Sequence, residues 1–115
     1  MRFLASPAFR VLGLGVGLLI CGFALSAAPV SDGAALYQQN CAMCHGADGK
    51  GFAAIKTPDF TDPKWQASRN DNEIAEVIKN GKKGTPMPAF GGKLKEADIQ
   101  TLVRYIRSFG SSKGK

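Results

Sequence analysis

The sequence predicts an all-α fold. Three stretches, around residues 33–40, 70–80 and 96–109, carry apolar residues at helical spacing and are flanked by residues that start or end helices. No run of alternating apolar and polar residues is long enough to indicate a sheet. With 115 residues, the chain has room for one small domain at most.

The first 28 residues have the composition of a secretory signal peptide. Basic residues precede the almost wholly apolar stretch 11–24, and small residues follow it. We expect cleavage at about residues 26–28, which removes Cys21 and places the rest of the chain in an oxidising compartment, the periplasm. The alternative is an uncleaved membrane anchor, because residues 9–28 match the ~20 residues that a membrane helix needs.

The exported part would be short and moderately basic. Removing the leader leaves about 87 residues and lowers the formal charge from +6 to +4. A chain of this length is marginal for a purely apolar core. Its charge favours acidic partners, whereas the lack of a dense basic stripe with interleaved aromatic residues argues against nucleic acid.

The first helix is expected over residues 33–40. Ser31 or Asp32 can cap its start. Gly33, Tyr37 and Cys41 recur every four residues and therefore share one helical face.

A cysteine–histidine motif follows this helix. Cys41 and Cys44 are separated by two residues, and His45 comes directly after them. This spacing is the signature of c-type haem attachment. Each thiol can add to one vinyl group of a haem, and the adjacent histidine can then supply an axial nitrogen to the iron.

Three other interpretations of the motif are weaker. A zinc site usually needs four Cys or His ligands, and the exported part offers only Cys41, Cys44 and the sole histidine, His45. A thioredoxin-like redox pair belongs in a βαβ unit, and nothing strand-like precedes Cys41. A plain disulfide would give His45 no role. We therefore predict one covalent haem c.

Two proline-containing segments, residues 57–60 and 62–65, carry loop signals. A metal-bound histidine usually donates its other ring N–H to a carboxylate or a carbonyl, and the Pro58 carbonyl is our predicted acceptor. Phe60 and Trp65 are the aromatic residues expected against the haem. Trp65 either donates its indole N–H to a haem propionate or simply packs in the core.

The second and third long helices have clear boundaries in the sequence. Asn70 and Glu73 have the spacing of a capping box, which predicts a helix start. The last helix is expected over residues 96–109, where Gly110 would end it. Residues 111–115 are small, polar and basic, and we expect a disordered tail.

Met87 is the predicted second ligand of the iron. Of the three methionines, Met1 leaves with the leader and Met43 lies between the two cysteines, on the side of His45. Met87 remains, held between two prolines that restrict the backbone. His/Met ligation is a known arrangement for haem iron.

On these motifs, residues 32–109 resemble a class I cytochrome c of the small bacterial, c6-like kind, with a single haem. The resemblance implies three or four helices wrapped around one covalently bound haem. It also implies that the first and last helices cross, with Gly33 and Tyr37 on one and Leu102 and Tyr105 on the other.

Two protein ligands on the iron would leave no position for a substrate. We therefore expect a one-electron carrier and not an enzyme: a periplasmic monomer that shuttles electrons between respiratory or dehydrogenase partners. Five lysines flank Met87 in sequence and predict a basic rim that docks acidic redox partners. These are Lys79, Lys82, Lys83, Lys93 and Lys95.

Two alternatives stay open. If the leader is uncleaved, the protein is a membrane-anchored cytochrome subunit or donor of an oxidase complex. If Met87 is not a stable ligand, the protein is a small haem peroxidase or a sensor.

Overall fold

A computed structural model of the chain describes residues 32–111 and, before them, Gly13, Gly15, Gly17 and Gly22. Apart from those four glycines, the predicted leader lies outside the described residues. Residues 112–115 of the predicted tail lie outside them too.

Residues 32–111 are helical and contain no strand, as the sequence predicts. The elements, in order, are α1 (Gly33–Asn40), α2 (Ala42–His45), a short 3₁₀ helix (Ala53–Ile55), α3 (Pro63–Ala67), α4 (Asp71–Asn80) and α5 (Glu96–Ser111). None of these helices combines the length and the apolar character that crossing a bilayer requires.

The predicted helix starts are confirmed. The side chain of Asp32 accepts a hydrogen bond of 3.0 Å from the backbone N–H of Ala34 and caps α1. At α4, the Asn70 side chain accepts from the backbone of Glu73 at 2.9 Å, and the Glu73 side chain accepts from the backbone of Asn70 at 2.8 Å. This reciprocal pair is the predicted capping box.

The prediction of a loop over residues 62–65 is wrong, because α3 begins there. Asp62 accepts a hydrogen bond of 3.0 Å from the N–H of Lys64, and Pro63 takes the first helical position. Proline is favoured at that position, since its missing N–H would have no helical partner. The Asp-Pro pair is therefore a helix start and not a turn.

The prediction that Gly110 ends the last helix is also wrong. Helix α5 runs through Gly110 to Ser111, so the predicted tail begins at least one residue later. A Cβ atom at position 110 would lie 2.7 Å from Cγ of Gln66. The Gln66 side chain also donates to the carbonyls of Phe60 and Ile106, at 2.7 and 3.0 Å. Gly110 thus permits close packing of α3 on α5.

Helices α1 and α5 cross at Gly33, as the resemblance implies. A Cβ atom at this position would lie 3.0 Å from Cβ of Tyr105 and 3.4 Å from Cγ2 of Thr101. The rings of Tyr37 and Tyr105 pack with centroids 5.2 Å apart, and Leu102 is fully buried. The core comprises Tyr37, Ala42, Phe60, Ile74, Ala75, Ile78, Ile99, Leu102, Val103 and Ile106.

Tyr37 connects this crossing to the cysteine–histidine motif. Its side chain is 1% exposed, and its hydroxyl donates a hydrogen bond of 2.8 Å to the carbonyl of Gly46, directly after His45. Burial raises the pKa of Tyr37 above its ordinary value, with a smaller contribution from Cys41. The hydroxyl therefore remains a donor throughout the neutral range.

Replacing Gly33 with valine should separate the two crossing helices. Extra methyl groups in a packed contact cost about 1–3 kcal/mol, and Tyr105 meets the new side chain at its Cβ atom, which cannot rotate away. We expect Gly33→Val to lower the free energy of unfolding of the haem-bound protein by that amount in denaturant titration. Gly92→Val is the control, because a Cβ atom there meets nothing within 4 Å. Equal losses in both variants would contradict the crossing.

Replacing Tyr37 with phenylalanine removes the bond to Gly46. We expect a loss of about 1 kcal/mol at neutral pH, which lowers the melting temperature of the haem-bound protein by ~4–8 °C. Because the pKa is raised in the folded state, the stabilisation by this hydroxyl is complete below pH ~10 and falls as the pH rises further. Circular dichroism melts should therefore show the gap between wild type and variant shrinking at pH ~11.

Tyr105→Phe is the matched control for this experiment, since it removes the neighbouring hydroxyl from the same aromatic contact. A gap between wild type and Tyr37→Phe that is the same at both pH values, or a Tyr105→Phe variant with the same behaviour, would contradict the role of Tyr37.

Candidate functional site

One cavity of about 590 Å³ opens beside the cysteine–histidine motif. This volume lies within the range of ~300–1,000 Å³ that small-molecule and cofactor sites occupy. Every site residue predicted from the sequence contributes to its wall. They are Cys41, Cys44, His45, Pro58, Phe60, Trp65 and Met87.

The motif lies where α1 passes into α2. Cys41 ends α1, and its N–H donates to the carbonyl of Tyr37 at 2.8 Å. Its thiol is partly buried, and burial raises the pKa to about 11, so the thiol is protonated at neutral pH. Cys44 is exposed, and no disulfide joins it to Cys41. Both sulfurs are available to the cavity.

His45 ends α2, and its ring stacks on Phe60. The ring centroids lie 4.8 Å apart and the ring planes differ by 19°. Burial lowers the pKa of His45 below its ordinary value, so the imidazole is neutral at neutral pH. A neutral imidazole is the form that binds a metal.

The predicted hydrogen bond from His45 to the carbonyl of Pro58 is not formed. The buried Nδ1 atom of His45 has no partner among the described residues. The Pro58 carbonyl instead lies against Gly51, where a Cβ atom would be only 2.6 Å from its oxygen. Gly51 has a φ of +71°, and its N–H donates to the carbonyl of His45 at 2.8 Å. The glycine therefore brings this loop close to the motif.

Met87 reaches the same cavity from the loop between α4 and α5. Two backbone hydrogen bonds tie the end of this loop to α4: Phe90 donates to Ile78 at 2.9 Å, and Gly91 donates to Lys79 at 3.0 Å. The Met87 side chain is partly buried. Met43 also borders the cavity but is 90% exposed, so Met87 is the better-packed of the two thioethers.

Trp65 is held in the wall of the cavity by Phe60. Their ring centroids are 4.7 Å apart, with an angle of 49° between the planes. Donation from the indole N–H of Trp65 to a haem propionate stays a prediction.

The basic rim differs from the prediction. Of the five lysines, Lys82 and Lys93 line the cavity, whereas Lys79 lies 3.7 Å from the carboxylate of Glu96. Lys56 and Arg69 line it instead of the other three. Both lie in loops far from Met87 in sequence, so only the fold brings them together with Lys82.

The donor set fits a covalently bound haem. Two thiols at the required spacing, a neutral buried imidazole and a thioether line one cavity whose remaining wall includes Ile74, Val77 and Ile78 of α4. Residues 32–111 bring together no group of three or more His, Cys, Asp or Glu side chains that could bind a metal ion without such a cofactor.

Comparison with known families assigns the chain. Residues 28–106 match the family described as cytochrome c oxidase, cbb3-type, subunit III. The chain is similar to the cbb3-type cytochrome c oxidase subunit FixP of Bradyrhizobium sp. (strain ORS 278), with 35% identity over 70% of this chain and 28% of FixP. It is also similar to subunit CcoP of Cereibacter sphaeroides, with 33% identity over 81% of this chain and 32% of CcoP. The chain thus spans less than a third of either relative.

Solved structures also resemble the fold of this chain. The c-type cytochrome KustC0563 superimposes with a TM-score of 0.64 and 36% identity, covering 68% of this chain and 96% of that protein. The dihydro-heme d1 dehydrogenase NirN superimposes with a TM-score of 0.59 and 34% identity, covering 67% of this chain but only 16% of NirN. The chain therefore belongs to the family of the cbb3-type cytochrome c oxidase subunit III, and it is a class I monohaem cytochrome c domain of all-α fold that binds haem c covalently.

Proposed function

We propose that this domain transfers single electrons through a haem c held by Cys41, Cys44, His45 and Met87. The observation that carries the proposal is that these side chains, from two segments about forty residues apart, line one cavity. When bound, the haem supplies a one-electron iron couple. The two thiols would hold it through thioethers, and the imidazole and the thioether sulfur would bind its iron.

Each residue is in the chemical form that its role needs. The imidazole of His45 is neutral, and stacking on Phe60 holds its ring. Met87 contributes an uncharged sulfur within a largely apolar wall. A neutral axial thioether and an apolar surrounding both favour ferrous over ferric iron, so we expect a comparatively high reduction potential.

Binding of the iron by both His45 and Met87 would favour electron transfer over catalysis. Oxygen, peroxide or an organic substrate needs an open position on the iron, and two protein ligands leave none. The domain would then hold its ligands unchanged in both redox states, which suits a carrier.

The partner we infer is a cbb3-type terminal oxidase. Support comes from the relatives FixP and CcoP, whose names describe subunits of this oxidase. This favours the alternative interpretation, a subunit or donor of an oxidase complex, over a freely diffusing shuttle between other partners. We propose a periplasmic position, with residues 1–28 as the leader or as the anchor that keeps the domain near the oxidase.

The charges around the cavity support an acidic docking partner. Four basic residues line the cavity, Lys56, Arg69, Lys82 and Lys93, against one acid, Glu73. Complementary charge across a small, transient interface mainly raises the rate of association.

Replacing Met87 with alanine should remove the sulfur ligand. We expect the ferric holoprotein to lose the near-red charge-transfer band of Met–iron ligation, and to bind cyanide or carbon monoxide rapidly. Visible spectroscopy of the purified protein measures both effects. Met43→Ala is the matched control and should keep the band, since Met43 lies on the side of the histidine.

Two outcomes would contradict this ligand assignment. One is loss of the band in Met43→Ala but not in Met87→Ala. The other is rapid cyanide or carbon monoxide binding by the wild type, which would favour the peroxidase or sensor interpretation.

Removing two cavity lysines should slow the reaction with the oxidase. We expect Lys82→Gln combined with Lys93→Gln to lower the rate of electron transfer to membranes containing a cbb3-type oxidase by roughly tenfold at low salt. The difference should disappear at high ionic strength, because salt screens surface charge. Stopped-flow oxidation of the reduced protein measures these rates. Lys64→Gln, an exposed lysine outside the cavity wall, is the control. A rate indifferent to salt would contradict charge-guided docking.

A further inference from the structure

We propose that Phe60 is a positioning residue that fixes the ring plane of His45. The inference rests on the proposed function, since it matters only where His45 is an axial ligand. Phe60 has no atom that could attach haem or bind its iron. Its action is through the imidazole alone.

The contact between the two rings is close and nearly parallel. Their centroids lie 4.8 Å apart, and their planes differ by 19°. Offset stacking of this kind is the favoured arrangement of two flat π systems in a protein interior. A ring stacked in this way cannot turn about its Cβ–Cγ bond without losing the contact.

Phe60 is itself fixed by burial, hydrogen bonds and ring contacts. Its ring is buried, with 4% of the residue exposed. Its N–H donates to the carbonyl of Gly49 at 2.7 Å, and its own carbonyl accepts from the side chain of Gln66 at 2.7 Å. Trp65 and Phe109 pack on the ring, with centroid distances of 4.7 and 6.4 Å. Because these contacts fix the Phe60 ring, that ring can restrict the orientation of the His45 imidazole.

The stacking replaces a more common means of orientation. A metal-bound histidine is usually aligned by a hydrogen bond from its second ring nitrogen. Here the buried Nδ1 atom of His45 makes no such bond with any of the described residues. The terminal torsion of histidine is intrinsically broad, so another contact has to define it. Phe60 provides the contact that the described residues place against this ring.

Phe60 could instead be no more than core packing. A purely structural role would change stability on truncation but leave the environment of the iron as it was. A positioning role changes the direction of the imidazole plane, to which the magnetic anisotropy of ferric iron responds directly. Spectroscopic signatures therefore separate the two roles.

The test uses the ferric holoprotein, in which electron paramagnetic resonance gives the g values and proton NMR gives the haem methyl shifts. Phe60→Leu removes the stacked ring while retaining an apolar side chain. We expect a shift in the largest g value and a changed spread of the methyl resonances. Tyr105→Leu is the matched control: it removes an aromatic ring from the same cluster, where Tyr105 packs on Tyr37 and Phe109. It should leave both signatures in place.

Wild-type protein provides a measurement that needs no substitution. A fixed imidazole plane predicts methyl shifts that vary in proportion to inverse temperature, whereas exchange between ring orientations predicts curved plots. If Phe60→Leu does not retain haem, Phe60→Met tests the same loss of an aromatic ring with a more flexible apolar side chain.

The outcomes distinguish the inference from the proposed function. A wild type without His/Met ligation overturns the proposed function itself. A wild type with that ligation, but with signatures unchanged in Phe60→Leu or with curved temperature plots, overturns only the role of Phe60. Shifted signatures in Phe60→Leu, unchanged signatures in Tyr105→Leu and linear wild-type plots support the role of Phe60.

Discussion

The contact of helix α1 with helix α5 at Gly33 is the constraint on which the rest of the structure depends. A Cβ atom at this position would lie 3.0 Å from Cβ of Tyr105, which is tighter than an ordinary van der Waals contact, so glycine allows the helices to approach this closely. The approach places Tyr37 in the core, where its hydroxyl bonds to the carbonyl that follows His45. The terminal helices thereby fix the segment that carries the thiols and the imidazole.

The second half of the site depends on α4. Its apolar residues form part of the cavity wall, and its last turn accepts the backbone hydrogen bonds that return the Met87 loop to the same cavity. Within residues 32–111, hydrogen bonds to two helices thus bring two short segments together. Tyr37 of α1 holds the cysteine–histidine motif, and the last turn of α4 holds the Met87 loop. A small domain with a modest apolar core gains a centre when haem fills the cavity between these segments.

Local signals in the sequence were sufficient to predict the helix starts and the haem-attachment motif. Asp32 and the Asn70–Glu73 pair act through neighbours within three residues, so their patterns predict helix starts directly. The attachment motif is local as well. Features that depend on distant packing were missed: Gly110 lies within α5 because Gln66 packs on it, and Asp62 begins a helix whose partner is α5. The stacking of Phe60 on His45 joins residues fifteen positions apart through a loop, and no spacing rule predicts it.

The central claim is that the imidazole of His45 and the sulfur of Met87, which line one cavity, would both bind the iron of a bound haem. Iron K-edge X-ray absorption of the purified ferric holoprotein tests this most directly, because it counts the sulfur atoms bound to the metal. The account predicts a single sulfur scatterer in the first coordination shell in addition to nitrogen, and its loss in Met87→Ala. A wild-type spectrum that fits nitrogen and oxygen alone, with water in place of sulfur, would contradict it.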